Sequence, residues 1–162
     1  MARISPDVAG GVNRVAFLDA IAISEIGAAI LRRTDDGYNV LVGSTPSKII
    51  TFASYAAHPN VFNAATNSTA AGRYQILYRY WPHYQAQLHL PDFGPVSQDL
   101  YALQQLREQH ALPLIDAGKF SAAVKACANI WASLPGANYG QHENTVAALQ
   151  VAFQAAGGKV TA

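Results

Sequence analysis

Glutamate is scarce in this chain: among 162 residues there are only Glu25, Glu108 and Glu143. Glu25 stands apart, because its neighbours Ile23, Ser24, Ile26 and Gly27 solvate a carboxylate poorly. A carboxyl partly withdrawn from water keeps its proton to higher pH, and near neutrality it can give that proton to the oxygen of a breaking glycosidic bond. The same position also reads as the end of a helix, where the dipole is already negative and a carboxylate is mildly disfavoured. Asp35 and Asp36 follow downstream. Most hydrolytic glycosidases pair two carboxyl groups, so these two are the candidates for a second one. Standing directly before Gly37, they are also ordinary turn residues.

A second group runs from Ser68 to Ile76, with the sequence STAAGRYQI. Its small residues let backbone approach a ligand, Gln75 offers a donor and an acceptor, and Tyr74 offers an aromatic face of the kind that sugar rings pack on. Arg73 can hold a ligand or pair with a carboxylate such as Asp36. Trp81 and Trp131 sit at helical spacing, where large aromatics belong to a core. Cys127 has no histidine partner in a nucleophile motif and reads as a packed core residue. The histidines at 58, 83, 89, 110 and 142 include no pair at zinc-ligand spacing, so neither metal nor cofactor is expected.

Helices must position these groups. From Arg14 to about Glu25, Phe17, Leu18, Ile21 and Ala22 recur at helical spacing behind Asn13 as a cap, and Glu25 lies one turn beyond Ile21 and Ala22 on the core side. Thr34 to Gly37 is a turn. Tyr38 to Gly43 and Lys48 to Tyr55, rich in Val, Ile, Thr, Phe and Tyr, predict a small antiparallel hairpin. Ala56 to Ala71 is a long polar connection. Helices are then expected at Leu77–His89 with Pro82 in the first turn, Ser97–His110, Leu112–Ala117, Ser121–Ala132 and Asn144–Ala156. Residues 1–12 read as a flexible arm ahead of one domain over 13–162. The fold class is α+β: a mainly helical domain with a small hairpin inserted after its first helix.

Composition narrows the function classes. About half of the residues are apolar, enough for a real core, and 13% are charged with a net charge of +1. Basic residues are too few and scattered for a nucleic-acid footprint, and overall charge gives no support to anionic-lipid binding. The apolar stretch Val15–Leu31 contains Asp19 and Glu25, so it is an amphipathic helix and neither export signal nor membrane anchor. One cysteine forms no internal disulfide, which fits synthesis in a reducing cytoplasm.

Several motifs in collinear order resemble the lambda lysozyme family. They are Ser24-Glu25, Gly37-Tyr38-Asn39-Val40, His58-Pro59, the run Ser68–Gln75, Asp99 with Ala102–Gln105, and Ile130–Ala137 continuing to Tyr139-Gly140-Gln141. Each is short, but together and at family-like spacing over about Phe17 to Gly158 they are specific. Two positions depart from the family pattern: Ile23 stands where an aromatic is typical, and Ile26 where glycine is typical, with Gly27 one place later.

The resemblance implies a lysozyme-like fold with a glycan-binding cleft and lytic transglycosylase activity on peptidoglycan. Glu25 would be the catalytic acid and base, and the muramic C6 hydroxyl would attack its own anomeric carbon to leave a 1,6-anhydro end. Gln75, Tyr139, Tyr74, Arg73, Asn138 and Ser24 would contact the glycan. Two other outcomes stay open: a hydrolytic muramidase using Asp35 or Asp36, and a catalytically silent glycan-binding phage component. A monomer is expected, made in a host cytoplasm without a signal peptide and without stable membrane association. It would reach periplasmic peptidoglycan once the inner membrane is breached, by a holin if the family pattern holds.

Overall fold

From Val15 to Ala22 every residue of α2 (Val12–Ile26) is buried, Asp19 included, so this helix is enclosed on all sides by the rest of the chain. The computed structural model describes residues 1–136 and 144–161. Around α2 pack α1 (Pro6–Ala9), α5 (Pro95–Glu108), α6 (Leu112–Asp116) and α8 (Val146–Ala155). Phe17 of α2 meets Phe120 of α7 (Phe120–Cys127) edge-on at 5.6 Å, and Phe120 meets Phe153 of α8 at 4.9 Å, giving an aromatic centre to the helical half. Cys127 is fully buried, and burial pushes its thiol up to about 12, so it is a packing residue. Trp81 and Trp131 are buried as well.

The helices fall close to where periodicity puts them, with differences at the ends. Pro82 lies in the first turn of α4 (Trp81–Gln87). α7 stops at Cys127 and not near Ala132, because the chain tightens there into a turn in which Ile130 N–H donates to Cys127 O at 2.9 Å. Asn13 does not cap α2; Gly11 occupies that position. The Asn13 amide instead donates to Ile115 O (3.0 Å) and Lys159 O (3.1 Å) and accepts from Lys159 N–H (2.8 Å), tying α2 to α6 and to the C-terminal segment. Asn13→Ala is therefore expected to lower stability by about 1–2 kcal/mol in urea titration, by leaving these backbone groups without a partner.

Of the loose arm expected over residues 1–12, Val12 already belongs to α2 and the residues before it are held down. The Ala2 N–H donates to Asp19 Oδ1 at 2.7 Å, and the Arg3 and Ile4 N–H groups both donate to Asp99 Oδ2 at 2.8 Å. Ile4 is buried, and Ser5 caps α1 through a bond from Val8 N–H.

The expected hairpin is also corrected. Among the described residues there are isolated antiparallel bridges, Val40 with Thr51 and Leu41 with Ala71, and no strand. The chain does turn back on itself, since Leu41 N–H donates to Ile50 O at 2.9 Å and Phe52 N–H to Asn39 O at 3.0 Å. A ladder does not develop because the backbone around Val40 is shared out. Gly72 N–H bonds Val40 O on the other side, Val42 N–H goes to Ala70 O, and Ile50 N–H donates to the Ser44 hydroxyl oxygen at 2.9 Å in place of Leu41 O, which the Ser44 hydroxyl itself occupies. The long connection after it is anchored by His58, which accepts from Asn60 N–H at Nδ1 and so donates from Nε2 to Ile76 O at 2.8 Å. The overall class is mainly helical, with an irregular bridged lobe in place of a hairpin.

Candidate active site

Glu25 is the penultimate residue of α2, in its last turn. Gly27 closes the helix at φ +84°, its N–H donating to Ile23 O at 3.0 Å, and starts α3 (Ala28–Leu31) at once. The displaced glycine of the sequence thus makes the exit from the helix, in a conformation that suits glycine and strains other residues. Burial raises the Glu25 carboxyl above its ordinary range, and hydrogen bonds from Ser133 offset part of that rise. The Ser133 hydroxyl donates to Glu25 Oε1 at 2.5 Å.

Ser133 comes from the segment after α7, and three contacts fix that segment over the end of α2. Ser24 Oγ lies 2.8 Å from Ser133 Oγ and 3.1 Å from Ser133 O. Asn144 Nδ2 donates to Ser24 Oγ at 3.1 Å. Two residues before Ser133, the Trp131 indole N–H donates to Tyr74 O at 3.2 Å, which fastens the same segment to the residue preceding Gln75. Glu25, Ser133 and the Tyr74–Gln75 turn are thereby brought into one bonded neighbourhood from three distant stretches of chain.

The expected glycan contacts divide. Gln75 is partly exposed at φ +49°, with its side-chain amide N–H donating to Gly72 O at 3.0 Å. Tyr74 is 1% exposed and its hydroxyl donates to Asp99 Oδ1 at 2.5 Å, so its ring presents no face to a sugar. Arg73, also 1% exposed, pairs with Asp19 Oδ1 at 2.5 Å and Asp36 Oδ1 at 3.0 Å and lies over the Tyr38 ring. It is a buried anchor. Ser24 is buried and its hydroxyl is turned onto Ser133, away from the position of a ligand contact. Asn138 and Tyr139 lie outside the described residues.

Asp35 and Asp36 are engaged elsewhere. Asp35 accepts from Arg3 at 2.9 Å and from the Tyr55 hydroxyl at 2.6 Å. Asp36 pairs with Arg73 and with the Met1 ammonium, which hold its carboxyl below the usual range despite the opposing cost of burial.

Sequence reasoning missed three residues that build the site. Ser133 and Asn144 left no local signal, since a serine in a turn and an asparagine before a helix are ordinary. Asp99 did leave one: it shares a helix face with Leu103 and Leu106, where a carboxylate has to find partners. It accepts from the hydroxyls of Tyr38 (2.7 Å) and Tyr74 and from two backbone N–H groups of the arm. No group of residues suited to holding a metal ion occurs among the described residues, and no helix there is long and apolar enough to cross a membrane.

Residues 15–160 match the family model described as Endolysin. The endolysin of Escherichia phage P2 is 47% identical over 154 residues, covering 90% of this chain and 93% of that protein. The endolysin of Escherichia phage lambda is 47% identical over 152 residues, covering 91% and 93%. Among solved structures, bacteriophage lambda lysozyme complexed with a chitohexasaccharide superposes with a TM-score of 0.84 at 44% identity, over 99% of this chain and all of that one. A second structure of lysozyme from bacteriophage lambda gives 0.79.

Proposed function

Because this chain belongs to the endolysin family, with a lysozyme-like fold, we propose that it degrades peptidoglycan by lytic transglycosylation. The bond cut is the β-1,4 linkage between N-acetylmuramic acid and N-acetylglucosamine. The observation that carries this reading is Glu25 itself: a carboxyl at the end of α2, held by burial above its ordinary range and fixed by the Ser133 hydroxyl. Neutral at the start, it gives its proton to the glycosidic oxygen as that bond breaks. The carboxylate left behind then takes the proton of the muramic C6 hydroxyl, whose oxygen closes onto the anomeric carbon. The product is a 1,6-anhydro ring and no water is consumed.

Transglycosylation is favoured over hydrolysis by the state of the two aspartates. Most hydrolytic glycosidases use a second carboxyl to activate water or attack carbon. Asp35 and Asp36 are instead committed to Arg3, Tyr55, Arg73 and the amino terminus. Gln75 is assigned to the glycan, as is Tyr139 by family resemblance. The glycan bound by the related lambda lysozyme supports a carbohydrate ligand. By the same resemblance the protein acts in host lysis on periplasmic peptidoglycan, once a holin has opened the inner membrane.

Mass analysis of a peptidoglycan digest tests the reaction type. The expected muropeptides are one water lighter than hydrolysis products and add no reducing ends. Reducing-end products would replace this reading by the hydrolase and return attention to Asp35 and Asp36.

A further inference from the structure

We propose that Ser133, Ser24 and Asn144 form a hydrogen-bond chain that ends on Glu25 Oε1, holding that oxygen in place in both charge states of the carboxyl and leaving the other oxygen to carry the proton. The inference rests on the assignment of both roles to Glu25, and it adds three positioning residues that act through it.

The geometry serves both charge states. With Glu25 ionised, Asn144 Nδ2 donates to Ser24 Oγ (3.1 Å), Ser24 donates to Ser133 Oγ (2.8 Å), and Ser133 donates to Glu25 Oε1 (2.5 Å). Every hydrogen then points toward the negative charge. With Glu25 neutral, the proton meant for the glycosidic oxygen sits on Oε2, and Oε1 is a carbonyl oxygen that still accepts from Ser133. The chain keeps its direction, and Ser133 O, 3.1 Å from Ser24 Oγ, offers the Ser24 hydroxyl a second acceptor. Asn144 keeps donating to Ser24 in both states. No donor or acceptor of the chain is stranded and no heavy atom has to move.

A hydroxyl suits this place because it both donates and accepts. A carbonyl there would have nothing to donate to Oε1. Ser24 is 8% exposed and Ser133 is half-buried, so water has limited access to these bonds. The bond to the ionised form is charge-assisted and is the stronger of the two, so removing it should favour the proton on Glu25.

Two readouts test the chain in Ser133→Ala, Ser133→Thr and Ser24→Ala. The first is the titration of Glu25 by NMR with carboxyl-labelled glutamate, a simple spectrum in a protein with three glutamates. The second is the pH profile of kcat/KM on glycan strands. Ser133→Ala is expected to move the Glu25 titration and the matching alkaline limb of activity upward by about one pH unit, and to slow turnover at neutral pH about tenfold. Ser24→Ala should move both the same way by less. Ser133→Thr, which keeps the hydroxyl, should restore both, and it separates the hydroxyl from mere packing. An unmoved Glu25 titration in folded Ser133→Ala overturns the chain, as does a threonine variant shifted as far as alanine. The catalytic assignment fails by a different result, full activity of Glu25→Gln, which leaves the NMR titrations of the serine variants as they are.

Discussion

Glu25→Gln is expected to lower glycan cleavage by about 10³-fold while leaving the protein folded, because the amide keeps the size and the acceptor but has no proton to give. The stability of the same variant carries independent information. In the native protein the Glu25 pKa is raised, so between its unfolded and folded values the native state binds more protons than the unfolded one. Its contribution to stability is full below the unfolded value, is lost as pH rises through the folded value, and stays lost above it. Glutamine has no such loss. Thermal melts at pH 4 and pH 7 should therefore show Glu25→Gln gaining on the wild type as pH rises, with a Tm at pH 7 no lower than that of the active enzyme. An inactive variant that is also destabilised at pH 7 would mean that Glu25 serves the fold, and an active one would remove it from the chemistry.

Such an exchange of stability for function is common where a fold holds an acid in poor solvent. Here the cost falls on an otherwise apolar helix end. The opposing bonds from Ser133 keep the rise moderate, which matters for a group that must also act as a base.

The chemistry of the site was legible in the sequence at Glu25 because its signal is local: a rare residue type among aliphatic neighbours at the end of a periodic stretch. The helices were legible for the same reason. The partners of Glu25 were not, since Ser133 reaches it across 108 positions of chain, and no spacing rule carries that far. The motifs used for the family resemblance nevertheless turn out to be bonded to each other. Ser24-Glu25 meets the Ile130–Ala137 segment through Ser133, that segment meets the Ser68–Gln75 run through Trp131 and Tyr74, and the run meets α5 through Asp99. Tyr74 was misjudged as a sugar-facing ring because an aromatic next to a polar turn gives no sign of which way it points. The hairpin was overstated for a similar reason. Val, Ile and Thr report extended backbone, but which backbone groups pair is decided by Ser44 and by the chain at Ala70–Gly72, far along the sequence.

Asp99→Ala should be the most damaging change away from Glu25, lowering stability by about 3–5 kcal/mol in urea unfolding, a large share of what a domain of this size has. The carboxylate is fully buried and collects four donors: the hydroxyls of Tyr38 and Tyr74 and the N–H groups of Arg3 and Ile4. Alanine strands all four at once, whereas Tyr38→Phe removes one of the four donors, together with the hydroxyl oxygen that Arg3 N–H shares with Asp99, and should cost about 1–3 kcal/mol. The consequence reaches the site because of where those donors lie. Tyr74 carries the backbone oxygen that receives Trp131 and immediately precedes Gln75, and Tyr38 sits under Arg73, whose partner Asp19 belongs to the helix that ends in Glu25. Loss of Asp99 should thus loosen the Gln75 turn before it unfolds α2. At temperatures where the variant is still folded, KM for glycan strands is expected to rise while the pH limb set by Glu25 stays in place. A shift of that limb in Asp99→Ala would instead place Asp99 in electrostatic contact with the catalytic proton and overturn its purely architectural role.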